Sequence, residues 1–266
     1  MQLVLLDNHH IAFHVRNSYA EPTIDTVYSA SIEDLVNYKL IYRTSRDVAI
    51  AQGLFANGKG LLGLGLSLRN SRDRITQLLI ASGESMKWVP VSGATSHSMM
   101  EEKVVITDDE QIVVGADDQI LWYRSPLDKE PTSIKMRDRI GALSGSRSSV
   151  FVTYKRSRGV VDVLKNGRLA EAFAVSTDDD LRVSDHVYSF GEVLVVPAYY
   201  DSSMGFWGVT YRLLVSNNGG KTWYNHEIKN QLGSISPYGA SGRRFYMTTP
   251  FEILELDIDA LSRELE

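Results

Sequence analysis

Short runs of β-branched, aromatic and leucine residues, broken by Gly, Asn, Asp and Ser, recur along the whole chain, and apolar residues almost never return at helical spacing. A chain punctuated in this way folds by hairpins, so its core is built from sheets. The runs at 2–6, 10–16, 26–32, 38–43, 47–53, 61–69, 75–82, 103–107, 111–116, 119–124, 148–155, 160–164, 168–174, 192–199, 209–216, 244–249 and 252–257 read as strands. Asn57-Gly58, Asn166-Gly167 and Asn218-Gly219-Gly220 supply the positive φ that tight β-turns require. Only Ser31–Val36 and the tail after Asp257 read as briefly helical.

Composition narrows the class. With 43% hydrophobic residues and seven prolines in 266, the chain can bury a sizeable core, and its length suits a single all-β domain over 1–266. The absence of cysteine excludes disulfides, thiolate zinc sites, iron–sulfur clusters and a cysteine nucleophile. Lys+Arg number 28 against 33 Asp+Glu, a net charge of -5, which gives no basis for general or sequence-specific nucleic-acid binding. No apolar stretch is long enough for a membrane helix, and Met1–Asp7 lacks a basic leader and a cleavage site. The expectation is cytoplasmic synthesis without membrane attachment.

The segment from Arg212 to Trp223 carries a repeat signal. Ser216, Gly220, Thr222 and Trp223 stand in the register Ser-x-Asp-x-Gly-x-Thr-Trp, with Asn218 at the aspartate position. This resembles the Asp-box, or bacterial neuraminidase repeat, which in its family sits on β-propeller blades. The resemblance implies a hairpin lock: Asn218 accepts turn amides, Gly220 adopts a special backbone angle, and the Trp223 ring folds over the turn. A degenerate copy, Gln77 to Trp88, keeps the Leu-Leu-aliphatic strand and the tryptophan. Four-stranded blades repeat at about 40 to 45 residues, so the length fits six blades. They fall near 8–44, 45–92, 101–136, 138–176, 183–229 and 232–258, the last with about three strands of its own. The strand at 2–6 is then expected to complete that last blade and close the ring. Five blades or a β-sandwich are the alternative architectures.

Other motifs weigh less. Gly58-Lys-Gly60-Leu-Leu-Gly63 matches a dinucleotide fingerprint in letters only, because it opens the strict alternation 62–68, a strand with leucines on one face and Gly63, Gly65 and Ser67 on the other. His9, His10 and His14 lie too far apart along a strand to share one ion and read as a surface or interface cluster. The acidic runs at 108–110, 117–118 and 178–180 read as solvated turns, and Arg69, Arg72 and Arg74 as another. No metal and no cofactor is expected. No nucleophile elbow is present. A sialidase would need converging arginines; Arg16, Arg43 and Arg46 are the candidates, without the family's Arg-Ile-Pro segment, and Arg139-Ile140-Gly141 is the nearest lookalike.

Tyr199, Tyr200, Met204, Phe206 and Trp207 lie between two strong strand signals. They form either a partner-binding hairpin tip or the extension of those strands with rings packed between blades. The expected function is a non-enzymatic structural or docking propeller in a larger assembly, with protein partners or a homo-oligomeric ring. Short propellers with faded Asp-boxes are similar to phage tail or nozzle components, and to assembly factors of the photosystem-biogenesis type. The reading leans to a virion component, whose acidic channel would let DNA pass without sticking. The alternative is a glycan-binding or glycoside-hydrolysing propeller.

Overall fold

Tight turns fold the chain into six antiparallel sheets among the described residues of the computed structural model. It describes residues 2–68, 77–82, 86–93, 103–146, 149–155, 159–176, 180–184, 187–190, 192–200, 210–228, 236–241, 244–248 and 253–263. The chain divides into two compact units, Met1–Ile140 and Gly141–Glu266.

The first unit holds three four-stranded sheets, each in chain order. They are β1 (Gln2–Leu5), β2 (His10–Asn17), β3 (Ile24–Ser31) and β4 (Asp34–Ser45); β5 (Ala49–Ala56), β6 (Leu61–Leu68), β7 (Gln77–Ser82) and β8 (Val89–Val91); and β9 (Val104–Ile106), β10 (Ile112–Ala116), β11 (Gln119–Tyr123) and β12 (Thr132–Lys135). Sheet packs on sheet through alternating residues. Leu62, Leu64 and Leu66 of β6 join Leu6, Ala12 and Val27 of the first sheet in one core. The opposite face of β6 is small for a reason: a Cβ on Gly63 would lie 3.1 Å from Ile106 of the third sheet. Asp117, at φ 53°, begins the two-residue turn that pairs Ala116 with Gln119.

Rings tie each outer strand to the next sheet. Trp88, between β7 and β8, donates its Nε1–H to the carbonyl of Ile41, 2.8 Å away, and meets Tyr42 edge-on. Tyr123, the last residue of β11, donates to the carbonyl of Ser92 at 2.8 Å. Burial pushes its phenol up to about 12, so it stays a donor.

The second unit repeats the plan. Its sheets are β13 (Ile140–Ser146), which starts at the unit boundary, with β14 (Ser149–Tyr154), β15 (Val160–Lys165) and β16 (Arg168–Ala174); β17 (Leu181–Val183), β18 (Tyr188–Phe190), β19 (Val193–Tyr200), β20 (Thr210–Ser216) and β21 (Tyr224–Glu227), where β17 and β18 both pair with β19; and β22 (Ser236–Ser241), β23 (Arg244–Thr248) and β24 (Ile253–Asp257). Asn166 and Gly167, at φ 51° and 73°, make the two-residue turn between β15 and β16. A short helix, α1 (Ile258–Arg263), follows β24 where the tail reads as helical, and its Ile258 and Leu261 are buried beside Phe245 and Met247.

Two expectations are corrected. The N-terminal strand does not complete the last sheet, which among the described residues holds β22, β23 and β24; β1 pairs with β2, Gln2 opposite His14 through Leu5 opposite Ile11. The cause is local: the Asp7 carboxylate accepts the amides of His9 and His10 at 2.8 and 2.9 Å, so a tight turn returns the chain at once, and a short closure costs less entropy than a distant one. Ser31–Val36 is not helical. Ser31 pairs with Asp34 across a two-residue turn, and the Asp34 carboxylate then accepts the backbone and side-chain N–H groups of Asn37, bulging β4 at the i to i+3 spacing that imitates a helical turn.

Trp88 and Trp223 hold the same place, after the third strand and before the last of their sheets, but Nε1 of Trp223 is buried without a partner. Trp88→Phe therefore removes a hydrogen bond and Trp223→Phe does not. Urea unfolding should show the former costing about 1 kcal/mol more than the latter; equal losses would contradict the difference in bonding.

Candidate functional site

Three places concentrate side-chain chemistry. The first is the turn between β20 and β21. Ser216, fully buried, receives the amide of Gly220 on its Oγ at 2.8 Å and donates to Oδ1 of Asn218 at 3.0 Å. The same Oδ1 accepts the amide of Thr222 at 3.0 Å, while Nδ2 of Asn218 donates to Oγ1 of Thr222 at 2.7 Å. Gly219 and Gly220 have φ of 71° and 97°, and a Cβ on Gly220 would stand 2.7 Å from the ring of Phe173. Only glycine fits there. Trp223 is half-buried and packs on the core shared by the fourth and fifth sheets.

The second is the start of the aromatic segment. Tyr199 and Tyr200 belong to β19, whose pairing runs on to Tyr200 opposite Thr210. Tyr200 packs on the core, with the Arg212 guanidinium 5.5 Å from its ring centre, and Arg212 pairs with Glu227 at 2.9 Å. Tyr199 points to the other face and meets Tyr211 with ring centres 6.3 Å apart. For these two residues the strands extend. Met204, Phe206 and Trp207 lie outside the described residues, as do Arg69, Arg72, Arg74, Asp178 and Asp179.

The third site has no motif. Asp25 on β3, 1% exposed, accepts Nε2 of His14 at 2.8 Å and Nε of Arg16 at 2.9 Å on one oxygen, and the amide of Ala51 at 3.1 Å on the other. Arg16 also donates to the carbonyl of Ala51 at 2.9 Å. Carboxylate and guanidinium thus grip both polar groups of one residue at the bulge of β5. Beside them Gln2 does the same for Leu54, donating to its carbonyl at 2.9 Å and accepting its amide at 2.8 Å. Burial raises the Asp25 pKa, but hydrogen bonds from His14, Arg16 and the Ala51 amide outweigh it and hold the carboxyl below its usual value.

This arrangement removes Arg16 from any sialidase-like set. Arg16 lies opposite Asp25 and Thr44, whereas Arg43 lies opposite Thr26, so the two project from opposite faces of the first sheet. Arg139 pairs with Asp117 at 3.4 Å. His10 bonds Asp7 at the β1–β2 turn, and the described residues contain no group of three potential metal ligands.

The face of the first sheet turned away from Asp25, which also carries Thr26 and Arg43, has an apolar stretch. Leu3, Phe13, Tyr28 and Leu40 make one cross-strand row, and Leu5 and Ile11 pair in the next. Tyr38 meets Tyr28 and Phe13 edge-on at 5.0 and 6.1 Å. Leu3, Leu5, Tyr38 and Leu40 remain 54%, 43%, 58% and 49% exposed.

No protein-family model matches the chain. No curated protein matches it in sequence. Solved structures do. A prolyl endopeptidase aligns over 97% of this chain and 39% of its own, with a TM-score of 0.60 and 13% identity. YCF48 from Cyanidioschyzon merolae aligns over 84% and 76%, with a TM-score of 0.50 and 13% identity. A chain of a mitotic checkpoint complex aligns over 92% and 85%, with a TM-score of 0.50 and 9% identity. The first two are β-propellers, and the chain shares that fold.

Two outcomes test the sites. The Asp25 carboxyl has a lowered folded pKa, so its contribution is complete above the unfolded value of about 3.9 and is lost as pH falls through the folded one. Asp25→Ala should cost about 3 kcal/mol at pH 7, and its urea midpoint should fall less than the wild type's on acidification. At the turn, Gly220→Ala should cost about 2 kcal/mol or more from strain and overlap. Asn218→Asp should be tolerated or stabilise by about 0.5 kcal/mol, because a carboxylate accepts the same donors; melting temperatures check both.

Proposed function

We propose that the chain is a non-enzymatic docking β-propeller, a structural part of a larger protein assembly. The observation that carries this reading is the outward face of the first sheet, where Leu3, Leu5, Tyr38 and Leu40 stay about half exposed around Phe13 and Tyr28. A contiguous aromatic and aliphatic patch of this kind suits a protein partner. Residues that could serve chemistry elsewhere are engaged in holding sheets: Asp25 and Arg16 grip Ala51, and Arg212 pairs with Glu227. The Ser216–Trp223 turn is read as an Asp-box-type lock with a stabilising role, supported by its hydrogen bonds. A phage tail or nozzle component is one instance of this class, either as a homo-oligomeric ring or bound to other virion proteins.

Light scattering coupled to size exclusion tests the reading. The expected mass is a multiple of 29.8 kDa, reduced to that of one chain by Leu3→Glu or Tyr38→Glu. A single-chain mass in the wild type, unaltered by either change, would remove the self-assembling form of the proposal.

A further inference from the structure

Beside the Asn218 turn, the fourth and fifth sheets leave an open groove of about 300 Å3 lined by Ser176, Leu214, Lys221, Thr222, Trp223 and Asn225 among others. Two of its polar side chains stand apart from the turn's hydrogen bonds. Lys221 and Asn225 are exposed and bond no other side chain among the described residues, whereas Lys135 and Lys165 are paired with Asp118 and Glu171. Oγ1 of Thr222 accepts Asn218 and keeps its own hydrogen free to donate. Among the described residues the lining therefore offers one cation, one amide, a hydroxyl donor and an indole, without a carboxylate.

We propose that this groove binds an acidic pyranose, a uronic acid unit of a polysaccharide. The inference goes beyond the docking reading and does not depend on it. The apolar C–H face of a pyranose packs on an indole, which assigns the ring to Trp223; the ring hydroxyls exchange hydrogen bonds with Asn225 and Thr222. A single lysine supplies one point charge, which balances one carboxylate, whereas a phosphate monoester carries about −1.5 to −2. A neutral sugar would leave the Lys221 charge unused. The volume lies at the lower end for ligand sites, about 300 to 1,000 Å3, the size for one sugar unit.

The test is a glucuronate titration of 15N-labelled protein at constant ionic strength, following the Trp223 indole N–H, assigned with Trp223→Phe. A saturable shift is expected, with a Kd on the order of 1 mM. Lys221→Ala should weaken binding about tenfold and Asn225→Ala about threefold, while glucose and acetate should each bind at least about tenfold more weakly than glucuronate. Both substitutions fall on exposed side chains, so the spectra report folding alongside binding. The absence of a saturable shift, equal binding of acetate, or an unchanged affinity in Lys221→Ala would overturn the proposal.

Discussion

A buried carboxylate joins the first two sheets. Removing Asp25 from water is costly, and the structure offsets that cost with three donors, from His14, Arg16 and the Ala51 amide. The consequence reaches beyond the pair, because Ala51 sits where β5 is bulged and its ladder interrupted. β5 is the edge strand of its sheet, so its backbone groups turned away from β6 have no strand partner, and Arg16 and Asp25 take both of those that Ala51 presents. Gln2 does the equivalent for Leu54. Side chains of the first sheet thereby satisfy the inner strand of the second, and the leucine core between them is held in register.

Farther out, aromatic side chains take over this role. Trp88 and Tyr123 each donate to a backbone carbonyl at the outer edge of the preceding sheet, Ile41 and Ser92. Their positions near the third strand of a sheet explain the choice of residue, since only a long ring with a polar tip spans the gap while keeping its body in the core. In the second unit the Ser216–Thr222 turn holds itself with a network of short polar side chains, and Trp223 contributes packing without a hydrogen bond. The bonds of Trp88 and Tyr123 run between sheets, whereas those of the Ser216–Thr222 turn stay within one hairpin.

This division bears on function. Among the described residues, Asp25, Arg16 and Gln2 are occupied between sheets, while the apolar stretch of the first sheet and the groove beside Trp223 lie at the surface. The proposed docking and ligand sites draw on those surfaces.

The strand content, the turns and the grouping of strands were legible in the sequence, because period-two alternation and Asn-Gly turns are local signals. The leucine alternation at 62–68 even foretold the close approach of a neighbour, seen at Gly63 against Ile106. The strands missed were those whose stability comes from their neighbours: Val89–Val91 around a proline, the Gly- and Ser-rich Ile140–Ser146, and short edges such as Tyr224–Glu227. The partnership of the N-terminal strand was misread because pairing is chosen by closure entropy and register, neither visible in composition. The Asp25 clamp left no motif, since His14, Arg16, Asp25 and Ala51 come together only when two hairpins stack, and the exposed row from Leu3 to Leu40 is a core-like alternation that only the tertiary arrangement leaves open to solvent. Local periodicity determined the elements; packing between sheets decided which side chains bond and which remain available.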